Sequence, residues 1–187
     1  MSLDNTPALS DTTKEANMDL NHELTQRIDV LESTDAIREV RHRFNELLDA
    51  ALESGSDHTL DQLVALLAPD FRWTSKVHGS VHGAGAFAAL VKDRSTTCQM
   101  SFRILASDLH HPSDDADRST VTWSSLGMLT IDDQQLWAAA ANTDTYARID
   151  GTWRIESIDN DYKFVCRYEE GWTDERFVEH TLLSRVM

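Results

Sequence analysis

The chain has 187 residues and carries 17 Lys and Arg against 32 Asp and Glu, a formal charge of -15 at pH 7. That charge argues against nucleic acid and anionic membranes as partners, because both attract basic surfaces. Solubility is its simplest explanation.

Cysteine spacing, the lengths of apolar runs and the N-terminal sequence indicate the compartment and the number of domains. Cys98 and Cys166 are too far apart for a disulfide framework and suit free thiols in a reducing compartment. No apolar run approaches the roughly 20 residues that span a bilayer, and residues 1–17 lack the basic start and apolar block of a signal peptide. We expect a cytoplasmic protein with a flexible tail over residues 1–17 and a single domain over residues 18–187.

The first helical pattern after the tail is a narrow apolar seam. Leu20, Leu24, Ile28 and Leu31 step by four, four and three residues, which predicts a short helix. The seam is too narrow to form a core alone. It packs either on its own domain or on another subunit.

A longer amphipathic helix is predicted from Thr34 to Gly55, and the rest of the chain is organised around it. Its apolar residues recur at three- and four-residue steps and share one face. That face comprises Ile37, Val40, Phe44, Leu47, Leu48, Ala51 and Leu52. Ser33 or Thr34 suits the N-cap, and Gly55 ends the helix in a conformation that favours glycine.

Short elements follow this helix. Leu60–Ala68 is predicted as a second helix that ends before Pro69-Asp70. Phe71–Thr74 is a short strand that Val77–His82 continues or pairs with, and Ala86–Val91 is a third helix.

From Cys98 onward the apolar period changes to two. We predict four strands, at Met100–Leu109, Ser119–Thr130, Leu136–Ile149 and Trp153–Val165. Asp150-Gly151 between the last two is a strong hairpin signal. Helices followed by a long antiparallel meander are typical of an α+β domain.

Asp49 is an acid beside the apolar face of the long helix. On an ideal helix it lies roughly 60° past the edge of that face. It is therefore either a solvated flank residue or, at a cavity, a candidate general base.

The histidines and aromatics are weaker signals. His78 and His82 have a spacing that can bind metal on a helix, but the glycine between them favours a turn, and no Cys, Asp or Glu cluster completes a site. We predict no metal. The run Trp137–Ala141, WAAAA, is unusual for a strand, and its small side chains leave room either for a ligand or for close helix packing.

Several segments together resemble the SnoaL-like branch of the nuclear transport factor 2-like superfamily. They are the helix ending near LLD, then LVALLAPDFRW, HGAGAFAALV and TDTYARIDGTWRI. The resemblance spans about Leu31 to Trp172 and is nearest to the bile-acid dehydratase and scytalone dehydratase type, including the leading helix. It implies an α+β fold in which a cone-shaped, curved, mostly antiparallel sheet wraps around N-terminal helices and encloses an apolar cavity. It also implies a homo-oligomer, either a dimer or a trimer.

The resemblance also implies a set of catalytic positions. Dehydratases and dehydrochlorinases of the family use a helix Tyr, an Asp five residues later and a His on the first long strand. Here Phe44 and Asp49 occupy the helix positions, and the strand opening at Cys98–Phe102 holds no His. The family's Asp-His dyad therefore cannot form at its usual place. A basic residue on the last strand corresponds to Lys163.

Two hypotheses about function remain open. The first is a cofactor-free enzyme, of dehydratase, isomerase or hydrolase type, acting on an apolar cyclic substrate such as a polyketide, steroid or terpenoid. Asp49 would move a proton, and Lys163 or His82 would stabilise charge on oxygen. The expected substrate-binding aromatics are Phe44, Trp73, Phe102, Trp123 and Tyr146. The second hypothesis is a non-catalytic ligand-binding or scaffold protein that kept the fold.

Overall fold

The computed structural model describes residues 11–75, 79–111 and 113–178. The chain divides into two compact units, residues 1–36 and 37–187. The helices are α1 (Asp11–Ser54), α2 (Asp57–Val64), α3 (Ala84–Arg94) and α4 (Gly171–Asp174). The strands are β1 (Leu67–Ser75), β2 (Gly79–His82), β3 (Cys98–His111), β4 (Arg118–Ile131), β5 (Gln134–Ile149) and β6 (Thr152–Arg167).

The two helices predicted at the N-terminal end are one continuous helix, α1, of 44 residues. Ser33 and Thr34 lie within it, so the predicted N-cap is wrong. The Ser33 hydroxyl instead donates to the carbonyl of Asp29, one turn earlier, a bond that serines inside helices commonly make. The helix also begins at Asp11, inside the predicted tail. It ends at Ser54, and Gly55 follows with a φ of 59°, as predicted.

The second unit contains the buried part of α1, from Ile37 to Ser54. The predicted apolar face is confirmed, since Ile37, Phe44, Leu47, Ala51 and Leu52 are all buried. Two polar residues share that burial, Arg41 and Asn45. Polar side chains within an apolar helix face need partners, and those partners define the site described below.

Six strands form one sheet in the order β2-β1-β6-β5-β4-β3. The β1–β6 pair is parallel and all the other pairs are antiparallel. The curved sheet and its helices confirm the predicted α+β fold, with a mostly antiparallel sheet of the cone-shaped type. Within the described ranges, no helix is long and apolar enough to cross a membrane.

The Asp150-Gly151 hairpin is confirmed, with φ of 50° and 75° at the two turn residues. A tight turn of this kind needs positive φ at both central positions, which Asp tolerates and Gly favours. The turn joins β5 to β6, which stay paired from Ile149–Thr152 to Leu136–Arg167. No residue between Leu136 and Ile149 is helical.

The predicted helix over Leu60–Ala68 is too long at its C-terminal end. The structure ends α2 at Val64 and starts β1 at Leu67, before Pro69. The amide of Ile155 on β6 donates to the carbonyl of Leu66, and this bond draws the chain into the sheet. Gly79–His82 pairs with β1, which agrees with the predicted pairing; Val77 and His78 lie outside the described residues.

Candidate active site

A cavity of about 110 Å³ lies between α1, α3 and the inner face of the sheet. Its apolar walls come from both helices and from alternate residues of the strands. They include Phe44, Leu48, Leu52, Trp73, Leu90, Val91, Leu129, Ile131, Leu136 and Ile158. For scale, an apolar cavity of about 150 Å³ holds one benzene ring. The cavity therefore matches a ligand about one ring in size.

Small side chains on β4 and β5 make the floor of this cavity. Gly127, Ala138 and Ala140 all line it. Gly127 pairs with Ala138 across the two strands, and Ser125 pairs with Ala140. Of the two interpretations of the alanine run, the structure favours the one in which small residues make room for a ligand.

A buried ion pair stands at one end of the cavity. Arg41 on α1 lines the cavity, and its Nε lies 2.6 Å from Oδ2 of Asp144 on β5. The contact is an ion pair rather than an aligned hydrogen bond. Arg41 Nη1 also donates to Asn45 Oδ1 at 2.7 Å. The guanidinium is therefore held from two sides.

Two aromatic side chains, Tyr146 and Trp123, form a chain of hydrogen bonds that ends at Asp144. The Tyr146 hydroxyl donates to Asp144 Oδ2 at 3.1 Å, and Trp123 Nε1 donates to the Tyr146 oxygen at 3.2 Å. Burial raises the pKa of Asp144, against the opposing effects of Arg41 and Tyr146. Burial and the Asp144 charge together raise the pKa of Tyr146 well above its usual value. Tyr146 is thus a fixed donor to the carboxylate.

A second arginine facing the cavity, Arg103 on β3, is held by Asp49. The Asp49 carboxylate forms an ion pair with the Arg103 guanidinium. It also accepts from the Ser101 hydroxyl at 2.7 Å and from the Arg103 amide at 3.0 Å. The neighbouring Glu53 accepts from the Ser101 amide at 2.8 Å. These bonds fix the C-terminal part of α1 to the start of β3.

Neutral polar groups fill the space between the two arginines. Ser125, Asn142, Asn160 and Tyr162 all line the cavity. Asn142 donates to the Ser125 hydroxyl at 3.0 Å, and its Oδ1 is buried with no hydrogen-bond partner among the described residues. Burial raises the pKa of Tyr162, while the nearby charges of Arg103 and Arg41 lower it. The net shift is upward, so Tyr162 is a neutral phenol, able to donate a proton, at neutral pH.

The third arginine of the cavity, Arg94, ends α3. Its Nε and Nη2 are buried and have no hydrogen-bond partner in the part of the chain that the structure describes. No described carboxylate forms an ion pair with it. In this respect Arg94 differs from both Arg41 and Arg103.

Two of the five predicted aromatics line the cavity, Phe44 and Trp73. Trp123 and Tyr146 are fully buried and act through Asp144 instead. Phe102 is on the opposite side of the sheet and 54% exposed. It follows Ser101 on β3, and successive strand residues face opposite sides of a sheet.

The three predicted catalytic residues are not brought together. Asp49 borders the cavity through Arg103 without being one of its lining residues. Lys163 points away from the cavity, is half-exposed and pairs with Asp161. His82 is exposed on β2, and His78 lies outside the described residues. Over the described ranges, no cluster of His, Cys, Asp and Glu is placed to hold a metal ion.

A β-bulge accounts for the position of Lys163, which the family resemblance had suggested as a site residue. Ala139 pairs with Phe164 but Ala140 pairs with Tyr162, so Lys163 is the extra residue on β6. A bulge shifts the alternation of side chains by one position. In a regular strand, every second residue faces the same side, so Lys163 would face inward together with Val165. The bulge shifts this alternation, and Tyr162 faces inward instead.

Most of the cavity's polar residues were missed from the sequence. One signal was available, because Arg41 and Asn45 interrupt the apolar face of α1 at helical spacing. A second lay in β6, where Ile158, Asn160 and Tyr162 alternate on the inner face. No local pattern marks Arg94 or Arg103, whose roles depend on contacts between distant elements.

Comparisons with known proteins fit this geometry. A family model described as "SnoaL-like domain" matches residues 29–159. No curated protein matches the sequence. A type 2 hexachlorocyclohexane dehydrochlorinase (LinA) has 17% identity and a TM-score of 0.66, covering 75% of this chain and 92% of its own.

Two Novosphingobium structures are also similar. A scytalone dehydratase, so described provisionally, from Novosphingobium aromaticivorans has 14% identity and a TM-score of 0.66, with 76% of this chain and 91% of that one covered. A type 3 LinA dehydrochlorinase from Novosphingobium barchaimii has 17% identity and a TM-score of 0.64, with coverages of 81% and 98%. At these identities the likeness shows the fold.

Proposed function

The chain belongs to the SnoaL-like domain family, and on that premise we propose that it is an enzyme acting on a small, largely apolar cyclic molecule. The proposed chemistry is of lyase or isomerase type, as in a dehydratase, and needs no cofactor. The observation that carries the proposal is the position of Tyr162. It lines the cavity together with two arginines, each held by a carboxylate.

In a dehydration, the neutral Tyr162 phenol donates its proton to the leaving hydroxyl of the substrate. Water departs, and the phenolate takes a proton from the adjacent carbon, which restores the phenol. The positive charges of Arg41 and Arg103 stabilise the transient phenolate, and they offset part of the effect of burial on the pKa of Tyr162. Every proton is accounted for without a metal or a redox group.

Asp49 keeps a role in this proposal, as a positioning residue for Arg103. Its carboxylate already accepts from Ser101 and from the Arg103 amide, and it is paired with the Arg103 side chain. Both of its oxygens are already occupied by these donors, so it is poorly placed to take a proton from a substrate. The size of the cavity favours a substrate of one ring over a steroid.

A second candidate is a non-catalytic binding protein. One observation favours it: among the described residues that line the cavity there is no Asp, Glu, His or Lys. In this case Tyr162 and the asparagines only hold a ligand in place.

A single substitution separates the two candidates. Substrates come from a screen of single-ring hydroxylated compounds and from mass spectrometry of molecules that copurify with the protein. For an enzyme, Tyr162→Phe lowers kcat by about 10²-fold or more and changes ligand affinity little. The control is Tyr168→Phe, since Tyr168 is an exposed residue that stacks on Trp137. Turnover that survives Tyr162→Phe contradicts the proposed mechanism.

We also propose that the protein is a cytoplasmic homo-oligomer, either a dimer or a trimer. Exposed apolar residues support it, both on the outer face of β3 at Met100, Phe102 and Ile104 and along the seam of α1. Patches of this kind commonly mark contacts between proteins. The two buried free thiols suit a reducing compartment. Light scattering that shows a monomer at micromolar concentration contradicts the assembly.

A further inference from the structure

From the pairing of the three arginines, we infer that the cavity takes a monoanionic ring compound whose carboxylate binds Arg94. This inference rests on the proposed function, in that the cavity must bind a small cyclic molecule. It adds the charge of that molecule and the residue that recognises it.

The first step is the charge of the cavity. Arg41 is matched by Asp144 and Arg103 by Asp49, so each of these pairs is neutral. Arg94 has no described carboxylate to match it. Among the arginines that line the cavity and the carboxylates that pair with them, three guanidiniums and two carboxylates leave one positive charge, which a single anionic group balances. Glu53, which accepts from the Ser101 amide, is exposed and forms no ion pair with these arginines among the described residues. The protein as a whole is strongly acidic, so this local excess is opposite in sign to its surroundings.

The second step is the burial of two guanidinium nitrogens of Arg94. Its Nε and Nη2 have no hydrogen-bond partner within the described ranges, although both atoms are buried. Buried charged donors without an acceptor are destabilising. Nε and one Nη of a guanidinium form the edge that binds a carboxylate through two parallel hydrogen bonds. A planar carboxylate therefore fits these two atoms better than a point acceptor does.

The third step is the position of Arg94 along the cavity. The Arg94 carbonyl accepts from the Thr97 amide, and the Thr97 carbonyl accepts from the Asp132 amide. The backbone of Arg94 is thus tied to the end of β4 beside Ile131. Ser125, near the Asn142 end of the cavity, is six residues earlier on that strand, or roughly 20 Å at the usual rise per residue.

The two ends therefore recognise different groups. At one end, the side-chain amides of Asn142 and Asn160 are neutral donors and acceptors, and the charge of Arg41 is balanced by Asp144. Such groups suit a hydroxyl or carbonyl oxygen of the ligand. At the other end Arg94 offers a free charge. The roughly 20 Å separates backbone positions. The side chains of Arg41 and Arg94 line the cavity itself, and the apolar walls between them receive the ring. The ligand is then a ring with an oxygen substituent opposite its carboxylate.

The test compares two probes of equal size, para-hydroxybenzoate and its neutral amide, para-hydroxybenzamide. Calorimetric titration at neutral pH measures both with the full-length chain. The wild type is expected to bind the carboxylate at least tenfold more tightly. Arg94→Gln is expected to remove that preference and to change the affinity for the amide by less than threefold. Arg94→Lys, which keeps the charge but not the two parallel bonds, is expected to restore part of it.

The matched control is Arg43→Gln, which removes an exposed arginine outside the cavity and is expected to leave the preference intact. Melting temperatures add a readout that does not depend on binding. Without ligand, Arg94→Gln melts at or above the wild-type temperature, because two buried donors without an acceptor are lost.

Three results overturn the inference: equal binding of the two probes by the wild type, a preference that survives Arg94→Gln, and no binding of either probe. Loss of turnover in Tyr162→Phe is a separate measurement, so the catalytic proposal and the carboxylate site can fail independently.

Discussion

The two ends of the cavity use the same residue type under opposite conditions. At one end Arg41 is 3% exposed, and it is held by Asp144 and Asn45. At the other end Arg94 has buried Nε and Nη2 atoms that no described group accepts from. The charge of the first arginine is matched by Asp144, and in this sense its network, which ends at Trp123, is closed. Within it, Asp144 Oδ1 is buried without a hydrogen-bond partner among the described residues. The second has a charge and donors left for a ligand.

The difference shows how to judge an arginine in a cavity. A guanidinium with a buried carboxylate partner fixes the positions of the groups around it, because removing either partner leaves an uncompensated charge. A guanidinium without one lowers stability in the free protein and contributes when an anion binds. Function and stability are then expected to separate at Arg94 and to coincide at Arg41.

Asp144→Asn tests the closed end most strongly. It leaves Arg41 buried without a counter-charge, and we expect a loss of about 3–5 kcal/mol in the free energy of unfolding. Urea unfolding monitored by tryptophan fluorescence measures it. The control is Glu46→Gln, which breaks an exposed pair with Arg43 and is expected to change the free energy by less than about 1 kcal/mol.

A double substitution sharpens this test. In Arg41→Leu/Asp144→Leu both charges are absent, and stability is expected to recover most of the loss, as it does when apolar residues replace buried ion pairs. If Asp144→Asn alone is as stable as the wild type, the closed network does not brace the fold.

Asp49→Asn tests the Arg103 pair, which is less buried than the Arg41 pair. We expect a loss of about 1.5–3 kcal/mol, the usual range for hydrogen bonds to a charged group, together with reduced turnover. Glu53→Gln is the matched control, because Glu53 contributes a single bond to the Ser101 amide. If Asp49 is instead a general base, turnover falls and the free energy of unfolding stays within about 1 kcal/mol of the wild-type value.

Much of the fold could be predicted because it rests on local signals. The Asp150-Gly151 turn, the two-residue period of the strands and the apolar face around Phe44 all depend on neighbouring residues. The continuity of α1 through Ser33 could not be predicted, since serine and threonine occur both as N-caps and within helices. Which of the two applies depends on the bonds formed on either side.

The site was harder to predict because register decides it. Because of the bulge at Lys163, Tyr162 faces inward in place of that residue. No residue type in β6 predicts a bulge at this position. Arg94 enters the cavity because α3 is tied to the end of β4, far away in sequence. Family resemblance placed Asp49 near the site but not its partner Arg103, since this chain has no His at that point of the strand.

Asp108→Asn gives the smallest effect and extends the comparison to an exposed arginine pair. Asp108 contacts Arg38 at 2.9 Å and His110 at 3.1 Å. Burial acts to raise the pKa of Asp108, but Arg38 and His110 outweigh it, so the pKa lies below its usual value. A lowered pKa in the folded state means that the unfolded chain binds the proton first as pH falls. The stabilisation is therefore complete above about pH 4 and is lost as pH falls through the folded-state pKa. We expect Asp108→Asn to cost no more than about 1 kcal/mol at pH 7, a difference that is smaller at about pH 3. Urea unfolding of both proteins at the two pH values measures this, and a difference that is independent of pH contradicts the role assigned to the pair.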